Sequence, residues 1–553
     1  MNGSKLRLSA SVLVLGFAAA FALPAFAGQK EDLKAQIDAL KKTIAEQQAQ
    51  LDTLSAQVQD VKTSSANQFS EGQRQVNEAP KLGIKNGRPS FESADGKFTA
   101  QIRALGQFDW GYYSQDGSAR TLPAAYGPDL SSGTNFRRVW LGLQGKLFGD
   151  WAYNFNYDFG GSGGTETPGH IQSVYLQYDG LKPWAFRLGA YPPPANLEDS
   201  TSSSDTLFLE RNAPSDLQRN IAGGDGRDAV SIIYGGDRLF GALSYTGAKV
   251  QDSAVFDEQQ ALLGRASYLF YSGEDAHFLV GANGSYVFKL PDAVANGTPT
   301  LDTTPGATAL NSFTFSDPPE ITIDSNGVRL TNTGSLPADE VKQWGAEFGG
   351  YWQSLYLQAG YYGYELARAP VAYRVFSSAV ASATQIVQPD DNSFDGWYVQ
   401  ATWALTGENR SYNAATGSFT SLKPTNPFAL DGTGWGAWEL AARYSELDLN
   451  DNINDPASVI TNWTGATTRT YTFYSTVRGG DQKALTLALN WYANDNIRFG
   501  LNYQFIQLDR LQSGSTPSAV TGVTTTTTGG PVIPTVSADQ DVQTIALRAQ
   551  FAF

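Results

Sequence analysis

From about Lys97 to Phe553, apolar and polar side chains alternate along the chain with a period of two. In the first such run Phe98, Ala100, Ile102, Ala104, Gly106, Phe108, Trp110 and Tyr112 share one face, and Thr99, Gln101, Arg103, Gln107 and Asp109 share the other. Successive side chains of a strand point to opposite sides, so this pattern predicts a strand that is apolar on one face and wet on the other. The alternation returns at about 135–148, 151–159, 171–179, 184–191, 228–235, 238–247, 261–271, 276–289, 342–352, 354–365, 395–406, 436–447, 481–493, 496–508 and 541–553. Counting the first, that makes about sixteen segments. Most are near the roughly 9–11 residues that a tilted membrane strand needs.

The two faces carry different chemistry. Apolar positions end in aromatics, as in Trp151, Tyr153, Phe155, Tyr157 and Phe159, or Trp397, Val399, Ala401, Trp403 and Leu405. Such rings suit the interfacial girdles of a membrane barrel, and the opposite face of Gln, Asn, Thr, Ser and charges suits a wet lumen. A lectin-like sandwich would also alternate, but the strand count and chain length argue against it. Short turns at Phe148-Gly149-Asp150, Gly235-Gly236-Asp237, Gln353-Ser354 and Asn494-Asp495-Asn496 should face the periplasm. Long segments at about 114–134, 192–227, 290–341, 366–394, 407–435, 448–480 and 509–540 should lie outside or fold into the lumen. The run Thr524 to Thr528 is low in complexity. The predicted fold is all-β: a 16-stranded antiparallel transmembrane β-barrel with a short N-terminal α-helical coiled coil.

Ahead of the strands the pattern changes. Lys5 and Arg7, the apolar run Leu13 to Leu23, and Ala25-Phe26-Ala27 have the three parts of a secretory signal cut after Ala27. That apolar run is shorter than the ~20 residues of a spanning helix, which argues against an uncleaved anchor. Residues 28–63 then place Leu33, Ile37, Leu40, Ile44, Leu51, Leu54, Val58 and Val61 in heptads, with Gln47 in the seam. An amphipathic helix of this kind would expose its stripe alone, so a multimer is expected. Residues 64–90 read as a linker, and 91–553 as the barrel.

Composition narrows the chemistry. Only 17% of residues are charged, the formal net charge is -15, and there is no cysteine. A nucleic-acid binder needs a basic face, and thiol catalysis or a disulfide scaffold needs cysteine. With His170 and His277 as the two histidines, nothing assembles a nucleophile, base and oxyanion stabiliser, so neither an enzyme nor a cofactor is expected. Gly160-Gly161-Ser162-Gly163-Gly164 lacks the Lys-Ser/Thr of a phosphate loop and reads as a turn. Asp448, Asn450, Asp451, Asn452, Asn454 and Asp455 lack the terminal bidentate Glu of a calcium loop and read as an acidic outer loop, with weak divalent binding the alternative.

Several stretches nonetheless carry a resemblance. They are Gly83-Ile84-Lys85-Asn86-Gly87 with Phe91 to Phe98, Asn135-Phe136-Arg137-Arg138, and Thr206-Leu207-Phe208-Leu209-Glu210-Arg211 before Asp225-Gly226-Arg227-Asp228. To these add Leu405 to Tyr412, Gly436 to Ser445, Asn490-Trp491-Tyr492 and the closing Phe551-Ala552-Phe553. With these motifs the chain resembles the phosphate-selective porin O and P family of Gram-negative outer membranes over roughly residues 82–553. The resemblance implies a homotrimer of barrels passing small anions such as phosphate by diffusion past an infolded third loop. It also implies contact with outer-membrane lipid and lipopolysaccharide. Residues 192–227 take the place of that loop, and their charge is mixed, with Glu198, Asp199, Asp205, Glu210, Arg211, Asp216 and Arg219 and no lysine.

Strand parity offers candidate pore residues from the pattern itself. With the apolar face outward, Arg103, Arg138, Lys146, Arg187, Arg265, Arg443, Arg498 and Arg548 point inward, against Asp109, Asp158, Glu347 and Glu439. A basic surplus in a narrow low-dielectric pore concentrates anions, whereas the same residues paired as salt bridges would only brace the wall. Glu439 and Arg443, four apart on one strand, are expected to pair. If Leu207 to Leu217 is helical, Arg211 and Arg219 share a side and either line the constriction or pin the loop. The expected function is an outer-membrane anion porin. The alternatives are a barrel that anchors a cell-wall tether, with the coiled coil touching peptidoglycan, and a sugar-type pore using lumen tyrosines Tyr175, Tyr356 and Tyr362.

Overall fold

The computed structural model describes residues 29–85, 87–116, 129–161, 169–253, 257–292, 311–377, 380–453, 456–464, 467–474, 477–512, 536–537 and 540–553. The expected signal segment, Gly163-Gly164 and the Thr524 to Thr528 run lie outside the described residues. Sixteen strands form the wall. The first eight are β1 Thr99–Gln115, β2 Gly133–Leu147, β3 Trp151–Asp158, β4 His170–Leu181, β5 Trp184–Ala190, β6 Arg227–Gly235, β7 Leu239–Lys249 and β8 Gln260–Ser272. The others are β9 Ala276–Lys289, β10 Leu336–Trp352, β11 Leu355–Arg368, β12 Asn392–Ala404, β13 Ala437–Asp451, β14 Val477–Tyr492, β15 Ile497–Asp509 and β16 Gln540–Ala552. Each pairs antiparallel with the next, and β16 pairs back onto β1 from Val542↔Gln115 to Ala552↔Leu105, which closes the cylinder. Closure gives each of the sixteen wall strands a paired neighbour on both sides, the condition for crossing a bilayer with strands.

Burial along a strand runs opposite to that of a soluble protein. In β12, Trp397, Val399 and Trp403 are exposed while Tyr398, Gln400 and Thr402 are buried. The apolar side chains face lipid, and the polar ones are covered by segments that enter the lumen. Among these segments are α2, Leu197–Ser200, and α3, Ala213–Ala222, both within the β5–β6 connection. Leu217 and Ile221 of α3 bury against Leu263, Tyr362, Tyr364, Phe394 and Leu447 of the wall. Tyr362 lies under this packing and Tyr356 under Leu197, Phe208 and Phe419, so these two rings of the sugar-type alternative do not face open lumen, whereas Tyr175 is only partly buried.

Two expectations about the connections are corrected. Residues 405–436 join β12 to β13 at the end that also carries the turns 148–150, 236–238 and 353–354, not at the end of the long loops. Strand direction decides this, since every second connection must fall on the same rim. The second correction concerns residues 64–90. Helix α1 runs Gln29–Glu78, past the expected end of the coiled coil, and Lys81–Lys85 pairs with Arg88–Glu92 to extend the β1 edge. Residues 64–78 contain one glycine and no proline, and an Arg74–Glu71 ion pair at 2.7 Å supports the last turns before Pro80 breaks the pattern. Residues up to Ala79 and from Pro80 onward are separate compact units. In the first, the seam residues, Leu33, Leu40 and Val61 among them, remain exposed on the single chain. Among the described residues no helix is long and apolar enough to cross a membrane.

Candidate functional site: the lumen and its charged segments

The helical expectation for 207–217 is shifted by its local chemistry. Asn212 caps α3 by accepting from the Ser215 N–H at 2.9 Å, Pro214 sits in the first turn, and Gly223 follows the last. Leu207 to Arg211 therefore stays outside the helix as an irregular, bent run, and Arg211 precedes the helix that holds Arg219. The two still converge on one carboxylate. Arg219 Nε donates to Asp199, Arg219 Nη2 lies 2.6 Å from Asp225, and Arg211 Nη2 lies 3.6 Å from Asp199. Both arginines are buried, and they pin the segment to itself rather than facing open lumen. Burial alone would raise the Asp225 carboxyl, but the Arg219 guanidinium outweighs it and holds it below its usual range. For Glu198 burial wins and pushes the carboxyl up, even with Arg443 beside it.

Of the wall arginines, Arg137, Arg138, Arg443 and Arg548 are likewise neutralised by acids that loops deliver. Glu210 accepts from Arg138 Nη2 at 3.0 Å, from Arg137 Nη2 at 3.2 Å and from Arg548 Nη2 at 2.8 Å. Arg548 also clasps Asp109 of β1 at 2.6 Å. Arg265 bonds Glu347 at 2.7 Å and donates to the carbonyls of Thr416 and Gly417 at 2.8 Å each. Gly417, at φ +56°, allows that approach, since an added Cβ there would meet Phe240 Cβ at 2.7 Å. Arg443 pairs with Glu320 at 2.6 Å and Glu198 at 3.5 Å, while Glu439 takes Arg410. The expected Glu439–Arg443 pair is therefore not made: loop charges reach both residues first. Arg498 is saturated by neutral groups, the carbonyls of Thr206 and Leu207 and the Asn490 side chain.

Three expected residues stand apart. Arg103 and Arg187 have no ion-pair partner among the described residues, and Lys146 is exposed at the turn end of β2. Arg187 Nε donates to Gln177 Oε1 at 2.6 Å, and its guanidinium lies 4.3 Å from the Tyr175 ring centroid and 5.1 Å from that of Tyr191. Asp205 does not come within ion-pair distance of Arg103, and Arg88 adds a second positive charge nearby. The uncommitted positive charge of the wall thus gathers toward the turn end, with tyrosine rings beside it.

Sequence reasoning missed Arg137, Glu320 and Arg410. Arg137 escaped because the β1–β2 register shifts between Gln107↔Arg138 and Phe108↔Phe136, so parity fails at that bulge. Glu320 and Arg410 sit on long connections, where no local pattern marks a lumen residue.

A sequence profile described as phosphate-selective porin O and P matches residues 104–527. Porin O of Pseudomonas aeruginosa is 26% identical over 435 residues, covering 76% of this chain and 86% of its own. An uncharacterized protein of Caulobacter vibrioides is 24% identical over 440 residues, covering 78% of this chain and 72% of its own. Among solved structures, the anion-selective porin from Comamonas acidovorans superposes with a TM-score of 0.40 at 12% identity, over 82% of this chain and 100% of that one. The outer membrane channel DcaP of Acinetobacter baumannii gives 0.40 at 11% identity, over 84% and 99%.

Proposed function

The chain belongs to the phosphate-selective porin O and P family of outer-membrane porins, and from that premise we propose that it is a passive channel for small anions, phosphate and other oxyanions included. The solute passes the segment 191–226, which narrows the lumen, and moves on to Arg103 and Arg187. The observation that carries this reading is the freedom of those two arginines: where other wall guanidiniums meet carboxylates or carbonyls, these keep donors for an anion in transit. A guanidinium in a low-dielectric pore attracts oxyanions and repels cations. Lys146 then supplies positive charge at the exit. Arg138, Arg211, Arg219, Arg265, Arg443 and Arg498 hold the loops that shape the path. The exposed heptads of α1 support self-association of that helix on the periplasmic side, which is also where contact with peptidoglycan would occur, and the number of chains, a homotrimer, rests on the family resemblance rather than on the heptads.

Reversal potentials in planar bilayers test this. Wild type prefers anions in a salt gradient, and the double variant R103Q/R187Q loses most of that preference together with any saturable phosphate block. A cation-preferring wild type, or a double variant with unchanged selectivity and block, overturns the proposal.

A further inference from the structure

The lipid-facing surface carries an aromatic row with one gap. In register, Trp438, Trp491, Phe499, Ala549, Phe108 and Phe136 are successive lateral neighbours on β13, β14, β15, β16, β1 and β2. Trp438 stacks on Trp491 with centroids 5.7 Å apart, Trp491 on Phe499 at 5.4 Å, and Phe108 lies 5.1 Å from Phe136. Ala549 interrupts this wall. Phe499 and Phe108 therefore stand two strand spacings apart, roughly 9–10 Å, with a single methyl group between them. The row above is closed, since Leu489, Leu501, Leu547 and Trp110 follow one another without a small residue. The result is a hollow of about 390 Å³ bounded by both rows, where Gly500 and Arg548, whose side positions turn to the lumen, contribute backbone to the floor.

We propose that this slot seats one acyl chain of a phospholipid. It is continuous with the barrel's lipid-facing surface, and its side-chain walls are hydrocarbon and ring faces. Stacking braces the rings on either side, so neighbours do not collapse into the gap, and an empty slot would forfeit dispersion contacts on every wall. A slender flexible chain fills a space one side chain wide. The flat face of a second barrel would bridge over it and leave the void. The indole end of the row fixes the depth. Trp491 lies one residue from the end of β14, and its Nε1 donates to the Trp435 carbonyl at 2.9 Å in the turn-end connection, a position suited to headgroup level. In the orientation argued above, that rim faces the phospholipid leaflet.

Native mass spectrometry of the full-length protein, extracted in mild detergent, tests the assignment. Ala549→Phe completes the row at a position that is exposed on the outer surface. Wild type should retain one phospholipid per barrel, and A549F at least ten-fold less, with single-channel conductance the same in both. Equal adducts in the two proteins, no adduct on wild type, or an adduct of lipopolysaccharide mass would overturn the proposal. So would subunits of A549F that separate while the lipid adduct is unchanged, because a second copy would then fill the slot. Should A549F not insert, Ala549→Leu makes the same comparison with a shorter side chain.

Discussion

Glu210 gathers Arg137, Arg138 and Arg548 around one carboxylate in the lumen. Burial works to raise its carboxyl, but the three guanidiniums outweigh burial and hold it well below the usual carboxylate range. A depressed folded value contributes stability that is present above the unfolded value near ~4.3 and is lost as pH falls through the folded one. The cluster should therefore stay intact through mildly acidic pH and loosen only in strong acid. Glu210→Gln removes the anion that three buried guanidiniums share, a change that costs about 3–5 kcal/mol. Thermal unfolding in detergent should show E210Q destabilised at neutral pH, with the acid-induced loss shared by wild type now absent. Bilayer recordings should show greater anion preference with noisier current. An E210Q barrel as stable and as quiet as wild type would mean that the cluster does not anchor the segment.

The helix α1 and the connection 405–436 show how elements differ in what supports them. The seam of α1 exposes Leu33 at 59% and Leu40 at 65% on the single chain, and a helix polar elsewhere gains little from leaving that stripe in water. Because the chain has no cysteine, Leu40→Cys gives an unambiguous cross-linking test in the intact protein. Covalent dimers should form within the assembled porin under mild oxidant, and their absence in the folded porin would remove self-association from the helix. Residues within 405–436 are held differently. Phe419 buries beside Leu197, Tyr351 and Tyr356, Ser418 Oγ donates to the Ser200 carbonyl at 3.0 Å, and Ser421 Oγ donates to Asp205 at 2.9 Å. Segments arriving from opposite rims thus meet and brace each other.

For the whole molecule, net charge and the local charge of the proposed path differ in sign. The chain carries -15 overall, yet Arg103, Arg187 and Lys146 place positive charge on the wall with no ion-pair partner among the described residues. A field set by a few lumen groups is screened over about 10 Å at 0.1 M salt and about 3 Å at 1 M. Anion preference should accordingly be strongest in dilute electrolyte and fall several-fold in 1 M salt. A preference independent of ionic strength would point to binding geometry rather than to the field of Arg103, Arg187 and Lys146.

The strands and their parity were legible in the chain because a membrane barrel must alternate residue by residue between lipid and lumen, a local rule that every strand repeats. The inward direction of Arg103, Arg187, Arg265, Arg443 and Arg548 followed from that rule alone. It failed at Arg137, where a bulge breaks the period. What each arginine meets was decided by tertiary structure. Glu210, Glu320 and Arg410 stand 72, 123 and 29 residues from Arg138, Arg443 and Glu439, their respective partners, on segments that carry no periodic signal. The path of such a segment depends on the total of its packing and pairing inside a closed cylinder, and no local pattern encodes that total. The sequence therefore determined the cylinder and the inward direction of its charges, and the infolded segments determined which of those charges remain free.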